Sequence, residues 1–338
     1  MFEGNCFVIA EAGVNHNGDL DTARRLVDVA AGAGADAVKF QTFNADKLVT
    51  PEAEKAEYQK ETTGDDESQH DMLRRLELSE DHHRQLLDYC RSRDIQFMST
   101  PFDEDSADFL EQLGIRPFKI GSGELTNLPF LKHVARKDQP LILSTGMSWL
   151  SEVEEAVRAV EETGNQQISF LHCVSEYPAE PSDTNLRAMK TLENAFGYPV
   201  GFSDHTLGIE IPIAAVALGA TIIEKHFTLD RSMAGPDHRA SLEPSELEAM
   251  LSGIRNVEKA LGDGRKRPTS GETKVASVAR KSIVASRDIE KGESLCTENV
   301  AIRRPGDGIA PKFLEKITNR QAAVDMSAGQ LISWEMLS

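Results

Sequence analysis

Eight short apolar runs alternate with amphipathic stretches along this chain, and that alternation constrains its fold more than any other feature. The runs cover residues 7–12, 37–42, 96–100, 118–121, 141–145, 168–173, 199–203 and 221–225. Between most of them lies a helical pattern. Residues 19–33 place Leu20, Ala23, Leu26, Val27 and Ala30 on one face, and residues 151–162 open with an N-cap candidate and acids in the first turn. Residues 244–261 have Pro near the start and Gly262 just past the end. Eight strand–helix units across about 255 residues predict a (β/α)8 barrel, that is, a TIM barrel of the α/β class. The helix-to-strand joints AGADAVKFQ, LGIRPFKIG and LGATIIEKH repeat one phrase, small residues followed by a strand that ends in charge. The apolar part lines the barrel and the charge emerges at its C-terminal mouth.

One connection breaks the rhythm. Residues 44–79 separate the second strand from its helix and include the polar stretch ETTGDDESQH, so this excursion reads as a functional lid or a disordered loop. The barrel is assigned to residues 1–265. The polar, Gly/Pro-bearing stretch at 266–278 reads as a linker, and residues 279–338 as a small β-rich domain.

Composition narrows the function. The formal net charge is −18, which argues against nucleic acid or an anionic membrane as a partner. An anionic substrate would then need local lysines to overcome the global field. Cys6, Cys90, Cys173 and Cys296 are scattered, as expected of reduced cytosolic thiols. The N-terminus carries an acidic residue and too short an apolar run for a signal peptide, and no stretch has the length of a membrane span. A cytoplasmic location follows as the expectation.

Active sites of such barrels gather at the C-terminal ends of the strands. Those ends carry Glu11 with Asn15-His16-Asn17-Gly18, then Lys39 and Gln41, then Ser99 and Thr100, then Lys119 with Ser122 and Glu124. Next come Ser144 and Thr145, His172 with Ser175 and Tyr177, Ser203 with His205, and Glu224-Lys225-His226 followed by Asp237-His238. A single lysine at a strand end is most often solvated or salt-bridged. Two lysines with hydroxyls and glycines at neighbouring ends describe an anion cradle for a phosphate and a carboxylate. His205 and His226 end adjacent strands about 5 Å apart. They are either core histidines or the protein ligands of one divalent ion whose open shell suits Mn2+ or Mg2+. His16, His172 and His238 are weaker ligand candidates. Glu11, Glu124 and Asp237 are either structural carboxylates or groups for substrate hydroxyls and proton transfer. Tyr177 is either a substrate contact or a packed aromatic.

The segments EAGVNHNG, AVKFQTF, FMSTPFDEDS, KIGSGEL, LSTGM, HCVSEYP, GFSDHT and EKHFTLDRSMAGPDH together resemble the sialic acid synthase family, which includes legionaminic acid synthases. The tail with IRRPGDGI resembles the antifreeze-like (SAF) domain that ends those enzymes. The resemblance implies a metal-dependent transferase that condenses phosphoenolpyruvate with an N-acylated mannosamine-type sugar. C3 of phosphoenolpyruvate attacks the sugar aldehyde, water adds, and phosphate leaves by C–O cleavage. It places Lys39, Thr100, Lys119, Ser122, Ser144 and Ser203 at phosphoenolpyruvate, with Ser175 as a further hydroxyl. Glu11, Gln41, Glu124, Tyr177 and Asp237 then face the sugar, and His205 and His226 hold the metal, Mn2+ ahead of Mg2+ or Co2+. The resemblance also implies a domain-swapped homodimer in which Arg304 reaches the N-acyl group in the partner's site.

N-acetylneuraminate from N-acetylmannosamine is the expected product. The first alternative is legionaminic acid from 2,4-diacetamido-2,4,6-trideoxymannose. A sugar-phosphate acceptor would need a second cluster of Arg and Lys at a strand end, and none is evident. A non-enzymatic ice- or sugar-binding role conflicts with the charged segment around Lys291, Glu293, Arg303, Arg304 and Asp307.

Overall fold

The computed structural model describes residues 4–64 and 66–338. The first three residues of the N-terminal segment and Asp65 of the polar excursion, both read above, lie outside the described residues. The chain divides into two compact units, Met1–Gly262 and Asp263–Ser338.

The first unit is the (β/α)8 barrel. Its strands are β1 (Phe7–Gly13), β2 (Ala37–Thr42), β3 (Gln96–Pro101), β4 (Phe118–Ile120), β5 (Leu141–Ser144), β6 (Ile168–Cys173), β7 (Val200–Asp204) and β8 (Ile222–His226). They form one parallel sheet in the order β3-β2-β1-β8-β7-β6-β5-β4, and its two ends, β3 and β4, pack side by side to close the ring. The helices begin and end where local chemistry dictates. Asp19 caps the helix Leu20–Ala33 by accepting from the Thr22 amide at 2.7 Å, and Gly34, with φ of 84°, ends it in a left-handed turn. Ser79 and Asp103 cap the helices Glu80–Ser92 and Glu104–Gln112 in the same way.

Alternation along each strand sorts the side chains into two sets. One set, including Val8, Ala10, Val38, Phe40, Phe118, Ile120, Phe170, Phe202 and Ile223, points outward into the large core shared with the helices. The other points into the barrel, where Ile9, Ala37, Met98, Ile142, Leu171 and Ile222 form a separate apolar layer. Two residues further along the same strands stand Glu11, Lys39, Thr100, Ser144, Cys173 and Glu224. The apolar layer is thus the floor of a polar chamber.

The excursion is folded rather than irregular. It holds the short helix Ala45–Leu48 and the helices Glu57–Thr63 and Gln69–Leu76. Met72 and Leu76 pack with Val14 and Phe43 in a small core of their own. Gly18, with φ of 78°, sits so close to this layer that a Cβ there would meet the Arg75 carbonyl oxygen at 2.4 Å.

The second unit is the SAF domain. Strands β9 (Ser282–Ala285) and β10 (Val300–Arg303) pair antiparallel over a core of Ile283, Ala285, Ile289, Leu295, Ile309, Ile317 and Ile332. The stretch read as a linker at 266–278 is a helix over most of its length, Ser270–Ala279. Thr269 caps it and Glu272 reaches back to the Thr269 amide at 2.8 Å, a capping box that outweighs the turn-forming Gly and Pro nearby.

On the outer side of the barrel, Lys225 is fully buried. Its Nζ lies 2.5 Å from Asp204 Oδ2 and donates to the Thr206 carbonyl oxygen, tying β8 to β7. Removing one partner of such a pair strands the other's charge. Asp204→Ala should therefore lower the unfolding free energy by about 3–5 kcal/mol; denaturant titration of the two proteins checks it, and equal midpoints would refute the role.

Candidate functional site

Glu11, Lys39, Thr100, Lys119, Ser203 and Glu224 meet in the chamber above the apolar layer. Lys39 Nζ stands 2.8 Å from Glu11 Oε2, 3.6 Å from Glu224 Oε2 and donates to Thr100 Oγ1 at 2.9 Å. Lys119 Nζ lies 3.5 Å from Glu224 Oε1, which also accepts from Ser203 Oγ at 2.9 Å. All six are buried. Burial would push Glu224 up, but Lys119 and Lys39 overcome it and hold the carboxyl at about 2. For Glu11 burial wins over Lys39, and its carboxyl rises to about 7. Burial lowers Lys119 against the pull of Glu224, whereas Glu11 and Glu224 outweigh burial at Lys39 and raise it. Glu11 Oε2, Glu224 Oε2 and Ser144 Oγ are buried without a hydrogen bond. Both ammonium groups are thus paired with carboxylates, and Ser144 Oγ stands ready to donate to a further polar oxygen.

A second cluster adjoins the first. Gly146 N donates to Ser122 Oγ at 3.0 Å, and Ser122 Oγ is 3.1 Å from Cys173 Sγ. A Cβ on Gly146 would fall 2.2 Å from Ser175 Oγ, 2.7 Å from Cys173 Sγ and 2.8 Å from Ser122 Oγ. The absence of a side chain at Gly146 is what lets three polar groups converge beside an exposed backbone turn. The residues read from the sequence as an anion cradle thus fall into two clusters, one around the lysines and one of hydroxyls around Gly146.

The two histidines close one end. The His205 and His226 rings are 5.7 Å apart, and His226 Nδ1 is buried without a partner. His205 Nδ1 lies 2.6 Å from the Val174 carbonyl oxygen. A proton on Nδ1 satisfies that contact and leaves Nε2 with its lone pair. Burial lowers both imidazoles, so both are neutral near pH 7, the form that binds metals. Among the described residues no group of three or more His, Cys, Asp or Glu is arranged to hold a metal ion. The unpartnered His226 Nδ1 and the Nε2 lone pair of His205 have the chemistry of a two-histidine site in which substrate and water oxygens would supply the other positions. Gly13, with φ of 52°, leaves room for the pair, since a Cβ there would meet His226 Cε1 at 3.2 Å.

Tyr177 packs on the histidine pair: its ring lies 4.1 Å from that of His205 and 5.7 Å, edge-on, from that of His226. Asp237 is buried, and burial alone raises its carboxyl to about 6. The Asn15-His16-Asn17-Gly18 run serves to hold the Asp237 loop. Asn15 Nδ2 donates to Ser241 Oγ at 2.9 Å, and that hydroxyl donates to the Asp237 carbonyl oxygen at 2.6 Å. Asn17 Nδ2 donates to the Ala234 carbonyl oxygen at 2.8 Å. His238 pairs with Thr228 Oγ1 at 2.7 Å and supports the same loop.

Gln41 points into the barrel one step above Lys39, level with Thr100 in the β2–β3 register. Glu124 ends the turn Ser122–Glu124 and accepts from Asn127 Nδ2 at 2.7 Å. Arg304 stands exposed just after β10 in the second unit. Two site residues were not singled out by the sequence reading, Glu224 and Cys173. The period-2 rule that selects His226 and Ser203 also selects Glu224, two residues before His226 on the same inward face.

Known proteins resemble this chain along both units. The NeuB family model matches residues 26–266 and the SAF domain model residues 280–338. The chain is 49% identical over 334 residues to an N,N'-diacetyllegionaminic acid synthase of Legionella pneumophila, covering 98% of this chain and 94% of that one. It is 49% identical over 327 residues to an enzyme of the same name from Campylobacter jejuni, with 96% and 98% covered. Among solved structures, the N-acetylneuraminic acid (sialic acid) synthetase of Leptospira borgpetersenii superposes with a TM-score of 0.71 at 36% identity, covering 80% of this chain and 90% of that one. With a barrel model that matches along the catalytic unit and relatives aligned nearly end to end, the chain belongs to the NeuB family and ends in a SAF domain.

Proposed function

We propose that this protein condenses phosphoenolpyruvate with 2,4-diacetamido-2,4,6-trideoxymannose to form N,N'-diacetyllegionaminic acid. The buried Lys39–Lys119 pair carries the phosphoenolpyruvate half of the reading: two cations, hydroxyls and the Gly146 turn face one chamber, which suits a small molecule bearing both phosphate and carboxylate. The acceptor half rests on relatives. Identity is 49% to the two legionaminic acid synthases and 36% to the sialic acid synthetase, so the legionaminic acceptor is preferred over N-acetylmannosamine.

In this reading C3 of phosphoenolpyruvate bonds to the acceptor's aldehyde carbon, water adds at C2, and phosphate departs by C–O cleavage. Lys39 and Lys119, with Thr100, Ser122, Ser144, Ser175 and Ser203, hold the phosphate and carboxylate while charge shifts. Gln41, Tyr177 and Asp237 orient the sugar. Glu11, raised towards neutrality, is poised to give a proton to the aldehyde oxygen or to take one from the attacking water, and Glu124 is the second carboxyl proposed for these transfers. His205 and His226 would hold a divalent ion, Mn2+ by preference, which supplies Lewis acidity at the aldehyde oxygen. We also propose a homodimer in which Arg304 of one copy contacts the acyl group in the other. The acidic excess of the chain lies in the barrel unit and the tail carries a small basic excess, so unlike surfaces would meet. Arg304→Ala should raise the acceptor KM about tenfold or more; an unchanged KM, or a monomer in sedimentation, would count against the dimer.

The decisive assay follows phosphate release and product mass from phosphoenolpyruvate and Mn2+ with each sugar in separate reactions. Faster turnover of the diacetamido sugar, abolished by EDTA and restored by Mn2+, is the expected result. Preference for N-acetylmannosamine would overturn the acceptor assignment, and full activity after metal removal would overturn the role of the histidines.

Asp237 yields a further expectation. Its carboxyl titrates near 6 in the fold against 3.8 when exposed, so folding favours the protonated form. That contribution is complete below about pH 4 and is lost as pH rises through 6. Asp237→Asn keeps the neutral form throughout. It should therefore gain up to about 3 kcal/mol of stability at pH 8 over the native protein, with no gain at pH 4, while its turnover falls. Thermal melts at both pH values and an activity assay measure this; a variant less stable at pH 8 would contradict it.

A further inference from the structure

The helix Glu57–Thr63 lies in the excursion and has no fully buried residue. Even so, its Tyr58 ring lies face to face with Tyr177, with centroids 5.1 Å apart and planes inclined by 27°. Tyr177 in turn packs on His205 at 4.1 Å. Tyr58 is therefore the outer member of a three-ring stack that starts at the histidine pair. The same helix touches the Asp237 loop, because Thr62 Oγ1 donates to the Pro236 carbonyl oxygen at 3.4 Å. Burial raises both phenols, and the Asp237 carboxylate adds to each, as expected if all three groups crowd one end of the site.

The excursion is braced to keep this position. Lys55 Nζ donates to Thr63 Oγ1 at 2.9 Å and to the Gly64 carbonyl oxygen at 2.6 Å. Met72 and Leu76 anchor the next helix on Val14 and Phe43, residues at the ends of the first two barrel strands. A ring held this way is a wall. Beside it stands the buried Asp237 carboxyl, and an aromatic surface favours a methyl group over a hydroxyl that would lose its water.

Resting on the function proposed above, we propose that Tyr58 is a specificity-determining residue. Its ring, stacked on Tyr177 beside Asp237, forms the wall against which the deoxy, N-acylated end of the acceptor packs, and it disfavours the hydroxylated counterpart.

The test is steady-state kinetics of the full-length, Mn2+-loaded enzyme and its Tyr58→Ala and Tyr58→Phe variants. Each is measured with 2,4-diacetamido-2,4,6-trideoxymannose and with N-acetylmannosamine. For Tyr58→Ala we expect the ratio of kcat/KM between the two sugars to fall about tenfold or more, through the KM of the deoxy sugar, with the KM for phosphoenolpyruvate unchanged. Tyr58→Phe keeps the ring and should keep the ratio within about twofold of the native enzyme. An unchanged ratio in Tyr58→Ala overturns the proposal and leaves the stack as packing of the excursion. So does a parallel loss in the KM for phosphoenolpyruvate, which would report a disturbed fold. A native enzyme that prefers N-acetylmannosamine would sink the acceptor assignment instead. The Tyr58→Ala ratio would still be read on both sugars, and a shift towards the hydroxylated one would still uphold Tyr58.

Discussion

Two lysines inside a β-barrel are the constraint around which this molecule is built. Lys39 and Lys119 stand on inward-facing positions above the Ile9, Ala37, Met98, Ile142, Leu171 and Ile222 layer, out of reach of bulk water. Unpaired, each would cost several kcal/mol. Glu11 and Glu224 offset that cost when no substrate is present, so the site is a charge-balanced quartet rather than an open basic pocket. In the proposed function, an incoming anion competes with carboxylates for the same ammonium groups. Binding then means exchange of partners, and the carboxylate most easily displaced is Glu11, which burial already draws towards its neutral form. The acidic surface of the chain matters little at this depth, because the local charges act through a low dielectric and the distant ones are screened.

The backbone serves that quartet in two ways. The period of two along each strand delivers alternate residues to the chamber and the rest to the helices, so Lys225, next in sequence to Glu224, is spent on a buried pair with Asp204 outside the barrel. Glycine serves where side chains would intrude: at Gly146, where three polar groups converge, and at Gly13, beside His226. Both sit at or just beyond the C-terminal ends of strands, where a Cβ would crowd the polar side chains gathered there.

Much of this was legible because barrel strands repeat a simple rule. The strand positions and the strand-end polar groups follow from alternation and from motif residues at strand ends, but Glu11, expected at the sugar, lies among the lysines, 2.8 Å from Lys39. Glu224 was overlooked because it was read as part of a charged triplet with Lys225 and His226 instead of by parity, and Cys173 because its sequence neighbours gave no sign of Ser122, 51 residues away. The Asn15–Gly18 run was rightly placed at the mouth, yet its work is to hold the Asp237 loop, a tertiary contact spanning more than two hundred residues. The stretch at 266–278 misled because Gly and Pro are punctuation only where no cap overrides them, and the Thr269–Glu272 box does. Tyr58 was beyond reach, since an aromatic in a polar excursion gains meaning only from the ring it stacks upon.

These two kinds of legibility correspond to two parts of the site. The lysines and hydroxyls proposed to hold phosphate and carboxylate are mostly fixed on strands, whose register leaves them almost no freedom, so their spacing survives as a readable pattern. Groups at the acceptor end come from connections: the Asp237 loop, the Tyr177 turn and the helix that carries Tyr58. Connections tolerate insertion and substitution far better than strands do, because they can change without disturbing the core beneath them. A barrel of this kind can therefore keep one donor chemistry while its acceptor changes with the excursion. In this chain the excursion reaches the histidine pair through a single stack of rings, so the part of the molecule most free to vary lies two ring contacts from the groups least free to do so.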